Sequence, residues 1–248
     1  MTTALITNDD GIDSAGLHSL AAAAVASGYE VIVAAPARQS SGSSASIIAA
    51  EEDGRIQIER RELPGLEGIP AFAVRGAPGL IALIAAHGAF GAVPELVLSG
   101  INHGANVGRA VLHSGTVGAA LIGGLNGARG LAISLDVGMA PSTYEWDAAA
   151  AVTRTLLPWL LDQPAGTVVN LNVPNSPEAS EVREATLAPF GIVQTTMSEQ
   201  NENWVRMAVE DLPNTPEPGS DAALLAQGYS TVTSITAISA LPIATPLP

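Results

Sequence analysis

An α/β domain built on a parallel sheet is what this sequence predicts, and three observations predict it. Short apolar runs alternate with helix-like stretches through the first 174 residues, which is the pattern of successive β-α-β units. The chain has 248 residues, 47% hydrophobic and only 14% charged, so it can bury a core and is not a disordered chain. The first apolar run ends on two adjacent aspartates, at the strand end where open α/β sheets place their ligands.

The elements follow in order. Residues 4–7 (ALIT) read as a buried strand ending at Asn8-Asp9-Asp10-Gly11. A helix starts near Ser14, puts Leu17, Leu20, Ala21 and Ala24 on one face and stops at Gly28. Residues 30–35 (EVIVAA) form a second strand closed by Pro36, so the first two strands are parallel with a right-handed crossover. A Ser/Gly-rich loop covers 37–46, and two short strands (IQIE and AFAV) flank Pro64-Gly65. A helix is expected over 78–89, a third core strand over 95–99, a small-residue helix over 115–126 and a strand over 130–135. A long helix over 144–163 turns Val152, Leu156, Leu157 and Leu160 inward, and residues 167–173 (TVVNLNV) are a further strand. After Pro174 the periodicity weakens. Residues 1–174 therefore read as the α/β core and 175–248 as a β-rich extension and oligomerisation tail of one domain, with a strand over 228–238 and an extended, Pro-rich LPIATPLP end.

Charge and composition exclude several functions. The net charge is −14, and all ten basic residues are Arg; with no Lys, Schiff-base chemistry and a P-loop lysine are absent. A field of that sign repels nucleic-acid polymers, whereas one small phosphate ester remains bindable if a cation and backbone N–H groups offset the repulsion. With no Cys there is no disulfide framework, zinc–thiolate site or thiol nucleophile. No basic n-region with an apolar run opens the chain, and no apolar stretch is long enough for a span, so a soluble cytoplasmic protein without membrane contact is expected. The low charge content suggests surface covered by a partner subunit.

Four loops carry the chemistry. In the first, Asp9 and Asp10 repel each other on one short turn unless a cation sits between them, and a hard divalent ion such as Mg²⁺ or Mn²⁺ prefers such oxygen ligands. The same Asn-Asp-Asp-Gly run is also ordinary turn chemistry. Ser40-Ser41-Gly42, after the second strand, offers a neutral hydroxyl beside the first strand's end. The run 99–108 (SGINHGANVG) turns tightly enough to approach a ligand, and its Asn side chains can give a carbonyl oxygen to a cation or an amide to a phosphate. His113-Ser114-Gly115-Thr116 opens a helix, where free N–H groups and the positive dipole end favour an anion. Two carboxylates, a hydroxyl, an Asn and an anion-binding helix start near neighbouring strand ends amount to the equipment of metal-assisted ester hydrolysis.

In order along the chain, TNDDG, AP-x₄-SG, SGIN-x-G-x-N-x-G and SGTV-x-AA, followed by NLNVP at 170–174 and SD…GYSTVT at 220–233, resemble the SurE family of survival-protein nucleotidases over essentially the whole chain. The resemblance implies a Rossmann-like, three-layer α/β fold with a β-hairpin extension, assembled as a homodimer or homotetramer. It implies a divalent-metal-dependent phosphomonoesterase that hydrolyses nucleoside 5′- and 3′-monophosphates. It assigns one divalent ion per subunit to Asp9, Asp10, Ser41 and Asn102, with the two aspartates catalytic, and assigns the phosphate and substrate to Asn8, Asn106, Ser114, Gly115 and Thr116. His103 or His113 is a candidate to protonate the leaving oxygen. The chain departs from the family pattern at Ala37, in Gly76-Ala77-Pro78-Gly79-Leu80, at His113 and at Ile122, which bears on substrate choice and rate.

A weakly active or non-catalytic nucleotide-binding homologue is the alternative. A receiver-like phospho-acceptor also carries an acidic pair after its first strand but uses a later Lys, which this chain lacks. Haloacid-dehalogenase-type phosphatases need Asp-x-Asp, whereas here the aspartates are adjacent.

Overall fold

The computed structural model describes every residue except 50, 53, 139–140, 179, 190–192, 202–203, 212–215, 237 and 240–248. The LPIATPLP segment lies outside the described residues. Six strands form the parallel heart of a nine-stranded sheet: β1 (Thr3–Thr7), β2 (Glu30–Pro36), β6 (Ala71–Val74), β7 (Leu96–His103), β8 (Arg129–Asp136) and β9 (Val168–Pro174). Two two-residue strands, β3 (Glu51–Glu52) and β4 (Arg55–Ile56), make a separate ribbon, and β5 (Ile58–Arg61) adds antiparallel to β6 at one edge. The IQIE segment thus divides between β4 and β5.

Beyond Pro174, β10 (Val182–Glu184) and β13 (Ser230–Ser234) extend the opposite edge, with β13 antiparallel to β9 and β10 parallel to β13. Strands β11 (Val193–Gln200) and β12 (Val205–Asp211) form an antiparallel hairpin of their own. A short helix, α5 (Asp221–Ala226), precedes β13; nothing in the periodicity of this stretch had marked it.

Strand order across the sheet is β10-β13-β9-β8-β7-β1-β2-β6-β5. The chain starts in the middle at β1, winds outward through β2 and β6, then returns to β7 and winds the other way. β1 and β7 are therefore the pair at which the winding reverses, and ligands collect in the crevice above such a pair.

The central strands are buried on both faces, so they read as continuous apolar runs. Ala4, Ile6, Val31, Val33, Leu98 and Ile133 face helices α1 (Ala15–Ala26) and α4 (Trp146–Asp162). Leu5, Ile32, Ala34, Phe72 and Val97 face the other layer, where α2 (Pro78–Ala86) packs with α3 (Gly115–Leu125). Three layers result. Helix α4 shares the α1 face although the β8-to-β9 step crosses the sheet in the direction opposite to β1-to-β2, so that crossover is left-handed, against the usual hand.

Two strands differ from their expected lengths: β13 is confined to Ser230–Ser234 rather than 228–238, and the third core strand runs longer than expected. Residues 95–99 were expected to end the third core strand, but β7 continues to His103. A register shift against β8 between Ser99 and Asn102 makes this possible. Gly100 sits there at φ +143°, and a Cβ on it would overlap the Ile133 carbonyl, so only glycine lets the strand resume pairing. Asn102 and His103 thus project from a strand, in register with Ser134 and Leu135, rather than from a loose loop.

Candidate functional site

Asp9 and Asp10 leave the tip of β1 on a turn that closes itself. Asn8 Oδ1 accepts the Gly11 N–H at 3.1 Å, while its Nδ2 donates to the Gly11 carbonyl at 3.1 Å and to Ser14 Oγ at 2.6 Å. Ser14 in turn caps α1 by accepting the Leu17 N–H. The Asn8 amide is thereby consumed inside the turn. Fixing Asn8 inward leaves the next two side chains to face the crevice between β1 and β7.

An open cavity of about 400 Å³ lies there, lined among others by Asp9, Asp10, Ser41, Asn102, Asn106 and Ser114, with His103 and His113 in its walls. Six of the nine residues expected at the site are therefore brought together. Asn8, Gly115 and Thr116 lie behind this surface rather than on it. No Arg lines the cavity among the described residues.

Each lining group is held by a partner distant in sequence. Asp9 is almost wholly buried; its Oδ1 accepts the Thr116 hydroxyl at 2.6 Å, and its carbonyl accepts the Ser40 N–H at 2.7 Å. Helix α3, capped by Ser114 on the Val117 N–H, points its N-terminus at this carboxylate. Gly115 permits that approach, because a Cβ there would meet Ser43 Oγ and lie 2.9 Å from Asp9 Cβ. Ser41 belongs to the loop after β2 and accepts Gln39 Nε2 at 2.9 Å. Asp10 Oδ2 accepts the backbone N–H of His103 at 3.2 Å, tying the turn after β1 to the end of β7. The Asn102 amide donates to the Gly104 carbonyl at 2.7 Å, so its nitrogen is engaged and its oxygen is the atom left for a ligand.

Asn106 has the most elaborate support. Its N–H donates to Asn172 Oδ1 at 2.8 Å, its carbonyl accepts Asn170 Nδ2 at 2.8 Å and Asn172 Nδ2 at 2.9 Å, and its own Nδ2 donates to Ser134 Oγ at 2.9 Å. Ser134 and Asn172 are register partners on β8 and β9, and all three supporting side chains are fully buried. These residues were missed as parts of the site. The only signal for Asn170 and Asn172 was NLNVP, two polar residues inside an otherwise apolar strand, and Ser134 had none.

The electrostatics are those of an uncompensated acidic pair. Burial raises the Asp9 pKa first; the Thr116 hydroxyl lowers it, and the neighbouring Asp10 charge raises it again. Burial also raises Asp10, opposed by the His103 N–H and the His103 side chain. Two carboxylates that both resist ionisation, with no Arg in the cavity, are suited to a cation. The donors are all oxygen, from Asp9, Asp10, Asn102 and Ser41. Among the described residues no cluster of three or more His, Cys, Asp or Glu exists to offer a softer site. That set fits a hard divalent ion held by few protein ligands.

Of the positions that depart from the family pattern, His113 lines this cavity. Ala37, Gly76 and Ala77 line a neighbouring hollow that also presents Arg38, Arg61 and Arg75. Ile122 packs against the core beneath α3, and Leu80 is buried in α2.

The sequence profile of the family described as Survival protein SurE matches residues 4–200. A 5′-nucleotidase SurE from Aeromonas hydrophila subsp. hydrophila is 32% identical over 237 residues, covering 94% of this chain and 91% of that protein. One from Marinomonas sp. is 34% identical over 241 residues, covering 93% and 90%. The crystal structure of the SurE protein from Aquifex aeolicus aligns with a TM-score of 0.73 at 25% identity, covering 95% of this chain and 94% of that one.

Proposed function

The chain belongs to the SurE family, and from that premise we propose that it is a 5′-nucleotidase, a phosphoric monoester hydrolase that releases phosphate from nucleoside monophosphates. The observation that carries this reading is the convergence of Asp9, Asp10, Ser41 and Asn102 on one open cavity at the point where the sheet's winding reverses.

In this reading Asp9, Asp10, Ser41 Oγ and Asn102 Oδ1 hold one Mg²⁺ or Mn²⁺ ion per subunit. When bound, such an ion polarises a phosphate oxygen and lowers the pKa of a water. Thr116 and the N-terminus of α3 fix the Asp9 carboxylate, so that it does not reorganise as charge develops. Ser114 and Asn106 line the same cavity and face the phosphate. Asp10, whose Oδ2 accepts the His103 N–H, would hold the ion through one oxygen and offer the other to the proton of the attacking water. The water oxygen bonds to phosphorus, the bond from phosphorus to the sugar oxygen breaks, and His103 or His113 donates a proton to that oxygen. The assembly is a homodimer or homotetramer in the cytoplasm. Among the described residues no helix is long and apolar enough to cross a membrane.

The test is phosphate release from nucleoside 5′- and 3′-monophosphates with Mg²⁺, Mn²⁺, Co²⁺ or chelator, alongside Asp9→Asn. The reading predicts cation-dependent release that Asp9→Asn abolishes. Full activity in chelator, or in Asp9→Asn, overturns it, and nucleotide binding without release points to the non-catalytic homologue.

A further inference from the structure

Beside the cavity three rings form a cluster. Tyr144 and Trp146 stack with centroids 5.6 Å apart and planes 9° from parallel, and His103 tilts against both, at 5.2 Å from Tyr144 and 6.4 Å from Trp146. His103 is the bridge. Its ring lines the cavity wall while its backbone N–H binds Asp10, so the cluster begins one residue from the proposed cation ligand Asn102.

The cluster is rigidly mounted. Trp146 opens α4 and is half-buried against the core, with α1 approaching so closely that a Cβ on Gly16 would lie 3.2 Å from its Cε3. Asn175 straps the segment before it from both sides, accepting the Glu145 N–H at 2.9 Å and donating to the Thr143 carbonyl at 2.8 Å. Tyr144 sits between those two straps and still leaves 45% of its surface in solvent. The chain has only three Trp, three Tyr and three Phe, so two of its nine large aromatics are spent at the mouth of this cavity. Nothing in the packing of the core requires Tyr144 there.

Resting on the nucleotidase reading, we propose that Tyr144, with Trp146 behind it and His103 at its edge, is a stacking platform for the base of the substrate, and that it selects phosphomonoesters carrying a planar aromatic ring over bare sugar phosphates. A neutral stack suits this protein. An acidic chain of charge −14 has few cations to spend on a ligand, and stacking recognises any base by its π-face without hydrogen-bond readout. The geometry comes from the start of α4, where Tyr144 and Trp146 pack against His103 at the end of β7.

The experiment compares AMP with ribose 5-phosphate, which carries the same phosphate and sugar without the aromatic base. For Tyr144→Ala, the ratio of kcat/KM for AMP to that for ribose 5-phosphate should fall about 10-fold or more, chiefly through KM for AMP, and Tyr144→Phe should restore it. Equal losses on both substrates, or an unchanged ratio, overturn the platform. A wild-type chain that hydrolyses neither ester sinks the nucleotidase reading instead. The platform is then decided by calorimetric binding of adenosine alone: binding lost in Tyr144→Ala and kept in Tyr144→Phe supports it, and binding absent from the wild type or equal in Tyr144→Ala refutes it. A Tyr144 covered by a second copy of the chain would give this last result.

Discussion

The hydroxyl of Thr116, in the first turn of α3, donates a 2.6 Å hydrogen bond to Oδ1 of Asp9, at the tip of β1. The two residues are 107 positions apart, and both are buried. The bond leaves Asp9 one way to point, toward the cavity it shares with Asp10.

That bond makes Thr116 a positioning residue. Thr116→Val removes the donor at nearly constant volume and should lower both Mn²⁺ affinity and kcat/KM by about 10- to 100-fold, the usual cost of losing a group that orients a ligand. Thr116→Ser, which keeps the hydroxyl, should recover most of both. Titration calorimetry with Mn²⁺ and steady-state kinetics read the two effects separately.

Asn172 holds Asn106 from two sides, so Asn172→Ala should act on the substrate rather than on the cation. The expected result is a loss of about 10-fold or more in kcat/KM with Mn²⁺ affinity kept, because the side-chain hydrogen bonds of Asn172 go to Asn106 and not to a proposed cation ligand. Parallel loss of metal binding would mean that the whole β7 tip had shifted.

Much of this was legible in the sequence, and the limit has a physical cause. Asp9 and Asp10 announce themselves because two adjacent carboxylates at a strand end are costly without a cation. Ser41 and Ser114 follow from their places in short motifs. Asn170, Asn172 and Ser134 do not, because they serve the site through hydrogen bonds spanning tens of residues that no local pattern encodes. Asn8 and Thr116 illustrate the converse. Their motifs were visible, but a motif does not say which way a side chain points, and Asn8 turns into its own loop while Thr116 turns to Asp9. Tyr144 gave no signal, since what places it is a ring contact with His103 and the Asn175 hydrogen bonds on either side of it, all distant in sequence.

The raised carboxylates fix the sign of the pH dependence. Without a cation the folded chain keeps protons on Asp9 and Asp10 that the unfolded chain, titrating near 3.8, has already released. Between that value and the raised ones the folded state binds more protons, so stability falls as pH rises. Thermal unfolding of chelator-treated protein should therefore show wild type losing more melting temperature than Asp9→Asn as pH climbs through that window. Mn²⁺ competes with those same protons, so its affinity should rise over the same range.

Asp221 tests the link between the C-terminal stretch and the site. Its fully buried carboxylate accepts the N–H groups of Gly108 at 2.7 Å, Ala188 at 2.9 Å and Ala222 at 2.8 Å. It thus pins the segment 107–113, which runs into His113 and Ser114, to α5. Asp221→Ala leaves three buried donors without an acceptor and should cost about 3 kcal/mol or more. Denaturant unfolding at fixed pH measures it.

The central claim is that Asp9, Asp10, Ser41 and Asn102 share one cation, and a crystal soaked in manganese tests it most directly. Anomalous scattering should place a single Mn²⁺ within bonding distance of both carboxylates and of Asn102 Oδ1. Carboxylates that stay apart with no anomalous peak between them, or manganese bound elsewhere on the chain, would contradict it.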